Sequence, residues 1–456
     1  MLRSIAFLFL MVSPAILHAQ LFGPQQNIST LALGALCVAS ADLDGDGDLD
    51  MFSASYNDDK IAWYANDGSG GFGPQQIIST LADGAHSVAS ADLDGDGDLD
   101  VLSASRIDSK IAWYANDGSG GFGPQQIIST LAEFASGVAS ADLDGDGDLD
   151  VLSASGLDDK IGWYANDGSG GFGPQQIIST LADGANSVAS ADLDGDGDLD
   201  VLSASINDYK VAWYANDGSG GFGPQQIIST LAVGAFSVAS ADLDGDGDLD
   251  VISASVYDDK IAWYVNDGSG GFGPQQNIST LALGALCVAS ADLDGDGDLD
   301  VLSASSGDNK IAWYANDGSG GFGPQQNIST LALGALCVAS ADLDGDGDLD
   351  VISASVYDDK IAWYENLTVV TAVPTVAAEQ VALYPNPMRT SATVLLDQTG
   401  GAVVLEFFDM QGRSIRSEKQ AVQERRIIVP RNGLTPGSYL LRITGEKRSE
   451  AILFVE

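Results

Sequence analysis

Cysteine, histidine and basic side chains are all scarce in this chain. Three cysteines in 456 residues exclude a disulfide-built scaffold. Two histidines, His18 and His86, leave little for general acid–base catalysis. Nineteen Lys and Arg stand against 65 Asp and Glu, a net charge of −46. So acidic a balance excludes nucleic acid or an anionic membrane as main partner, because both need basic surface. Beyond the first twenty residues no apolar run is long enough to span a bilayer, and no transmembrane segment is expected. The chain is nonetheless no disordered polyacid, because 45% of it is hydrophobic.

Glycine, at 55 residues, points to a turn-rich fold, and the acidity is concentrated. Residues 21–366 hold 56 acids and eight bases, a net −48, whereas 367–456 hold nine acids and ten bases. Residues 1–19 read as a secretory signal peptide: Arg3 gives a positive start, Ile5 to Val12 is apolar, Pro14 breaks the run and Ala19 is a small residue at the cleavage point. A short buried N-terminal helix is the alternative.

The motif FGPQQ begins at Phe22, Phe72, Phe122, Phe172, Phe222, Phe272 and Phe322, a strict fifty-residue period. Each copy has four β-branched or aromatic runs bounded by Gly, Asp or Asn. In the second copy they are Phe72 to Thr80, Ser87 to Asp92, Val101 to Ser105 and Lys110 to Ala115. Four strands per copy predict one blade of a β-propeller, and seven copies predict an all-β, seven-bladed ring. The N-terminal run Phe22 to Thr30 has no blade of its own, and the seventh copy lacks its fourth strand. Pairing them closes the ring. One Trp per copy, at 63, 113, 163, 213, 263, 313 and 363, reads as inter-blade core rather than a sugar platform.

Every copy contains the string DLDGDGDLD. It supplies Asp42, Asp44, Asp46, Asp48 and Asp50, then Asp92, Asp94, Asp96, Asp98 and Asp100. The third and fourth copies give Asp142, Asp144, Asp146, Asp148 and Asp150, then Asp192, Asp194, Asp196, Asp198 and Asp200. The last three give Asp242, Asp244, Asp246, Asp248 and Asp250; Asp292, Asp294, Asp296, Asp298 and Asp300; and Asp342, Asp344, Asp346, Asp348 and Asp350. Oxygens at positions 1, 3 and 5 of a tight loop converge, position 7 offers its carbonyl, position 9 closes the cage, and Gly at position 6 permits the turn. Calcium takes six to eight such hard oxygens, whereas zinc or copper asks for His or Cys. Up to seven Ca²⁺ ions, one per blade, are expected. An EF-hand is excluded, since position 12 is Ser53 and the flanks VASA and VLSAS are strand-like.

These residues resemble the FG-GAP or VCBS repeat family, which includes the propellers of integrin α-subunits. The resemblance covers about 21–366. It implies a calcium loop between the first two strands of each blade, with Asp42, Asp44, Asp46 and Asp50 ligating through side chains and Asp48 through its carbonyl. The same roles carry to the other six copies.

The copies differ mainly in two windows. One is Leu33 to Cys37, matched by Asp83 to Ser87, Glu133 to Gly137 and Val233 to Ser237. The other is Tyr56 to Asp59, matched by Arg106 to Ser109, Ile206 to Tyr209 and Val256 to Asp259. Connections of an up-and-down blade alternate between faces, so both windows share the face opposite the Asp loops. There Ile107, Phe134, Tyr209, Phe236, Tyr257 and Tyr357 offer apolar and aromatic groups to a glycan or protein ligand; neutral drift is the alternative. Cys37, Cys287 and Cys337 fall where other copies have Ser or Gly and read as small packing residues, because a disulfide there would demand an unusually close approach.

After a linker at 367–380, residues 381–456 carry strand-like runs at Thr393 to Leu396, Val403 to Phe408, Arg426 to Val429, Tyr439 to Ile443 and Ala451 to Val455, which predict a small Ig-like β-sandwich. Leu383-Tyr-Pro-Asn-Pro387, Asp409-Met-Gln-Gly-Arg413 and Gly437-Ser-Tyr-Leu-Leu-Arg442 make this region similar to the type IX secretion C-terminal sorting domain. That resemblance implies passage through the type IX machinery of a Bacteroidota-like Gram-negative bacterium, then release or surface attachment. The expected protein is a monomeric, secreted or surface-displayed binding or adhesion module and not an enzyme. A polysaccharide-active enzyme or accessory domain is the runner-up, and a ligand-free spacer the third reading. Catalysis lacks an asymmetric acid, base and nucleophile set, since His86 is the single histidine after the leader and the Asp loops absorb most carboxylates.

Overall fold

The second copy shows how each repeat folds. In the computed structural model its strands run Ala85–Ala91, Asp100–Ser105, Lys110–Tyr114 and Gln126–Ser129, paired antiparallel in that order. The innermost strand, AHSVASA, is rich in small residues, which lets seven such strands approach a common axis. The second strand, DVLSAS, is buried at every position, because a neighbouring sheet covers each of its faces. The outer strand begins with two exposed residues. It is shorter than the expected run: in Gln76–Ser79 pairing starts after Pro74, which has no N–H to give, and Phe72 is held by a single bridge to Asn66.

The structure describes residues 21–368 and, beyond them, 379–380, 383–384, 390–395, 402–408, 414–422, 426–431, 434, 437–444 and 448–455. The leader at 1–19, most of the linker and the turns after Phe408 and Arg431 lie outside the described residues. The chain divides between residues 370 and 371 into two compact units.

The first unit is a seven-bladed β-propeller. Six four-stranded sheets come from consecutive strands, and the seventh runs Gln26–Ser29, Lys360–Tyr364, Asp350–Ser355, Ala335–Ala341. The N-terminal strand therefore completes the last blade, with Gln26 opposite Trp363 and Asn27 opposite Ala362. Gly23 N–H donates to Glu365 O at 2.7 Å, and Leu367 N–H to Leu21 O at 2.7 Å.

Adjacent blades lock through aromatic pairs. Each Trp is 3–5% exposed. Trp63 meets Phe122 of the next blade edge-on at 6.3 Å, and Phe22 gives Trp313 the same contact at 6.3 Å, so the closure repeats the ordinary joint. A glycine backs each Trp. Gly120 has a φ of +74°, and a Cβ there would collide with the Trp63 ring. Gly120→Ala is expected to cost about 2–3 kcal/mol through overpacking and left-handed strain, read as a lower urea midpoint at unchanged m-value.

The second unit packs two sheets. One is five-stranded, ordered Glu379–Gln380, Arg448–Val455, Gly437–Thr444, Ala402–Phe408, Ser414–Ala421; the other is Leu383–Tyr384, Ser391–Leu395, Arg426–Pro430. Val394, Ile427 and Val429 of the smaller sheet join Leu405, Phe407 and Leu441 of the larger in one core. The edge strand Ser414–Ala421 was not foreseen. Its residues SIRSEKQA are mostly polar, and its Ile415 is 46% exposed, so no buried face marks it.

Candidate metal centres

Each Asp loop joins the innermost strand to the second strand of its blade, as at Ala41 and Asp50. Its turn is built by its own side chains. Asp42 Oδ1 accepts from Gly45 N–H at 2.8 Å and Oδ2 from Gly47 N–H at 3.1 Å, while Asp46 Oδ1 accepts from Asp48 N–H at 3.0 Å. Gly47, at position 6, has a φ of +96°, as the tight turn requires. Gly45 matters for a second reason: a Cβ there would stand 2.8 Å from Gly118 O of the next blade.

Asp50 is fully buried and anchors the loop from below. Its Oδ2 accepts from Leu43 N–H at 2.9 Å and its Oδ1 from Asn66 N–H at 2.8 Å. Each carboxylate oxygen has two lone pairs, so both can still face an ion. Asn66 was not singled out from the sequence, although the NDGSGG turn recurs. Asn116 shows its role most fully, since its Nδ2 donates to Leu99 O of its own blade and to Leu43 O in the preceding blade's Asp loop at 2.8 Å. Gly120 N–H grips the same Leu43 carbonyl at 3.1 Å. Asn366 preserves this clamp in the seventh copy, reaching Leu293 O at 2.8 Å.

The donor set fits a cation. Carboxylate oxygens of Asp42, Asp44 and Asp50, or of Asp92, Asp94 and Asp96, lie within 4.8 Å of one another, and the third to fifth copies repeat one or other grouping. Asp44 Oδ1 is buried without a hydrogen-bond partner, as are the equivalent atoms of Asp94, Asp144, Asp194, Asp244 and Asp294. Burial, then the charges of Asp46 and Asp42, raise the Asp44 pKa. Orphaned anionic oxygens that converge in a loop are what a hard cation satisfies. Asp48 instead turns its carboxylate toward Gly68 of its own blade. In the seventh copy Leu367 and Thr368 replace that glycine turn, and Asp348 is 7% exposed with both oxygens unpartnered and a pKa of about 7, raised by burial and by Asp346.

Burial raises Asp50, Asp100, Asp150, Asp200 and Asp250 to about 6, and Asp300 and Asp350 to about 7, against opposing hydrogen bonds from the Asn and Leu amides. A carboxyl whose folded pKa exceeds its unfolded value holds more protons when folded, so ion-free protein loses stability as pH rises from about 4 to about 7. Protein dialysed free of divalent ions is therefore expected to show a higher urea midpoint at pH 5 than at pH 8. One proton per site sets an upper limit of roughly 1.4 kcal/mol per pH unit on that slope.

Residues 42–103, 92–153, 142–203, 192–253, 242–303 and 292–353 match the profile of the FG-GAP-like repeat. The chain belongs to the FG-GAP-like repeat family. Residues 382–454 match the secretion system C-terminal sorting domain. No curated protein matches the chain. Among solved structures, an Agrocybe aegerita lectin described as recognising non-reducing terminal N-acetylglucosamine is 21% identical, with a TM-score of 0.49 over 71% of this chain and 86% of its own. A fungal alcohol oxidase of the AA5 family in complex with copper is 12% identical, with a TM-score of 0.49 over 95% of this chain and 99% of its own.

The face of the FG-GAP propeller opposite the Asp loops gathers both variable windows. Tyr56 N–H donates to Gly34 O and Asn57 N–H to Leu33 O, so the windows of one blade touch. Tyr357 is 76% exposed, Leu157 70% and Tyr257 62%. All seven lysines of the propeller pair with an Asp two residues earlier, from Lys60–Asp58 to Lys360–Asp358. Arg106 is its one remaining base, and it makes no carboxylate contact among the described residues. Its guanidinium lies 4.6 Å over the Phe134 ring and donates to Ser136 Oγ and Asn186 Oδ1. Phe134 stands where other copies have glycine and holds a φ of +62°, a strained backbone for an aromatic residue. The sequence reading overlooked an invariant feature of this face: Leu31 and its six counterparts form a ring of leucines 61–64% exposed. Residues that never vary gave no contrast between copies.

Proposed function

We propose that this protein is a calcium-stabilised, non-catalytic binding module that takes a glycan or protein ligand on its variable face. Its repeat propeller with an attached sorting domain has the architecture of a secreted adhesion-type module exported by a type IX system. Calcium is the ion favoured by an all-oxygen donor set of flexible carboxylates. In each blade the residues at positions 1, 3, 5 and 9 would hold it through side chains and position 7 through its carbonyl, from Asp42 to Asp50 in the first blade. A bound ion would supply the positive charge that the orphaned Asp44 oxygen lacks.

The observation that carries the ligand reading is Arg106. The one Lys or Arg of a strongly acidic propeller that has no carboxylate partner among the described residues, set over a strained Phe134, is an asymmetric anchor for an acceptor group on a ligand. The leucine ring favours a protein over a glycan as the second reading. Calcium-loaded protein on a glycan array, beside a panel of glycosidase and lyase substrates, tests this. Specific binding weakened at least 10-fold in Arg106→Ala supports the proposal. Turnover of any substrate that His86→Ala abolishes overturns it in favour of an enzyme.

A further inference from the structure

The three cysteines lie far apart in sequence yet meet at the propeller axis. Copies six, seven and one are consecutive around the ring because the N-terminal strand closes it. Their innermost strands place Cys287, Cys337 and Cys37 on the wall of one central cavity of about 120 Å³. The register shift between Ala35 and Cys37 is a β-bulge, which turns two successive residues, Leu36 and Cys37, toward that cavity. Leu286 with Cys287 and Leu336 with Cys337 repeat the arrangement, so three thiols stand beside three leucines. The remaining blades put Ser or Gly at the cysteine position, and none carries the Leu-Cys pair.

The blades approach closely here. A Cβ on Gly137 would stand 3.5 Å from Ser187 Cα, the equivalent residue one blade on. Each thiol is directed along the ring, with Cys287 Sγ 3.6 Å from Val338 O and Cys337 Sγ 3.6 Å from Val38 O. Cys337 thus sits between two thiols. Contact with Cys287 and Cys37, followed by burial, raises its pKa well above the usual thiol value, and contact with Cys337 lowers those of its two neighbours. All three are free thiols.

We infer that Cys37, Cys287 and Cys337 form a binding site for one soft, thiophilic metal ion of the Cu(I) class, separate from the carboxylate loops. Three sulfurs from three consecutive blades on the wall of one cavity supply a soft-ligand set that hard calcium does not use and that Cu(I) prefers. A disulfide would consume only two of them. Binding replaces S–H bonds by S–metal bonds and releases up to three protons to solvent, with no change of oxidation state. The apolar Leu36, Leu286 and Leu336 shield the site, and the net negative charge of the propeller favours cation entry.

The test uses the full, calcium-loaded chain, reduced under anaerobic conditions and titrated with the coloured Cu(I)–bicinchoninate complex. The proposal expects one Cu(I) per chain withdrawn from the chelator, with a sulfur-only shell by X-ray absorption. Cys337→Ser is expected to reduce that affinity at least 10-fold while leaving Tm within a few degrees, because Ser87, Ser187 and Ser237 occupy the same position in other blades. The double substitution Cys37→Ser with Cys287→Ser, which keeps only the central thiol, is expected to lose uptake equally. Copper left with the chelator, equal uptake by Cys337→Ser, or a disulfide between two of the three in protein purified without reductant would each overturn the site.

Discussion

Chelating divalent ions with EGTA is expected to lower the melting temperature of the full chain by on the order of 15–20 °C, and millimolar CaCl₂ to restore it. Extracellular calcium modules bind at about 10⁻⁴ to 10⁻³ M. With ~1 mM ion and a dissociation constant of ~10⁻⁴ M, each site adds roughly 1.4 kcal/mol, and seven add about 10 kcal/mol. For a domain of this size each kcal/mol moves the melting temperature by about 2 °C. The physical origin lies in the loops, where buried Asp50 and the unpartnered Asp44 oxygen are anionic and unfavourable without an ion. Asp44→Asn should reduce the calcium stoichiometry by one, measured by elemental analysis of gel-filtered protein. A melting temperature indifferent to EGTA would defeat the calcium reading, and it would leave the Cu(I) measurement untouched.

Removing residues 21–30 is expected to open the ring and make the protein aggregate. The deletion strips the pairing of Gln26–Ser29 with Lys360–Tyr364 and takes Phe22, 2% exposed, away from Trp313. Burial of that ring alone is worth about 3–5 kcal/mol. The KIAWY strand then becomes an open, apolar edge able to recruit another chain. Size-exclusion chromatography at constant calcium reads the result. Restoring the segment as a synthetic peptide is expected to recover part of the monomer peak.

The parts of this molecule legible in the sequence were those written once per repeat. A fifty-residue period with four β-rich runs gives the blade, and the unmatched Phe22 to Thr30 gives the closure, because both depend on order along the chain. The Asp loops were equally visible, since their donors lie within nine residues. Less legible was whatever one blade does for the next. Asn116 looked like a turn residue, yet it clamps the Leu43 carbonyl 73 positions earlier. Gly45 and Gly120 looked like generic turn formers, but the adjacent blade sets their size limit. The cysteines were the extreme case. Their meeting follows from ring closure and from a one-residue bulge, neither of which a local window of sequence contains.

The closure also sets where this protein gives way under load. Leu21 and Leu367 share a hydrogen bond, as do Gly23 and Glu365, so the polypeptide departs toward the sorting domain at the clasp itself. A pull transmitted through residue 368 falls first on those few bonds and on the short Gln26–Ser29 ribbon, while the other six joints stay slack. Mechanical rupture should accordingly begin as a peeling of the seventh blade, and an anchored molecule would fail at its buckle before any interior blade is disturbed.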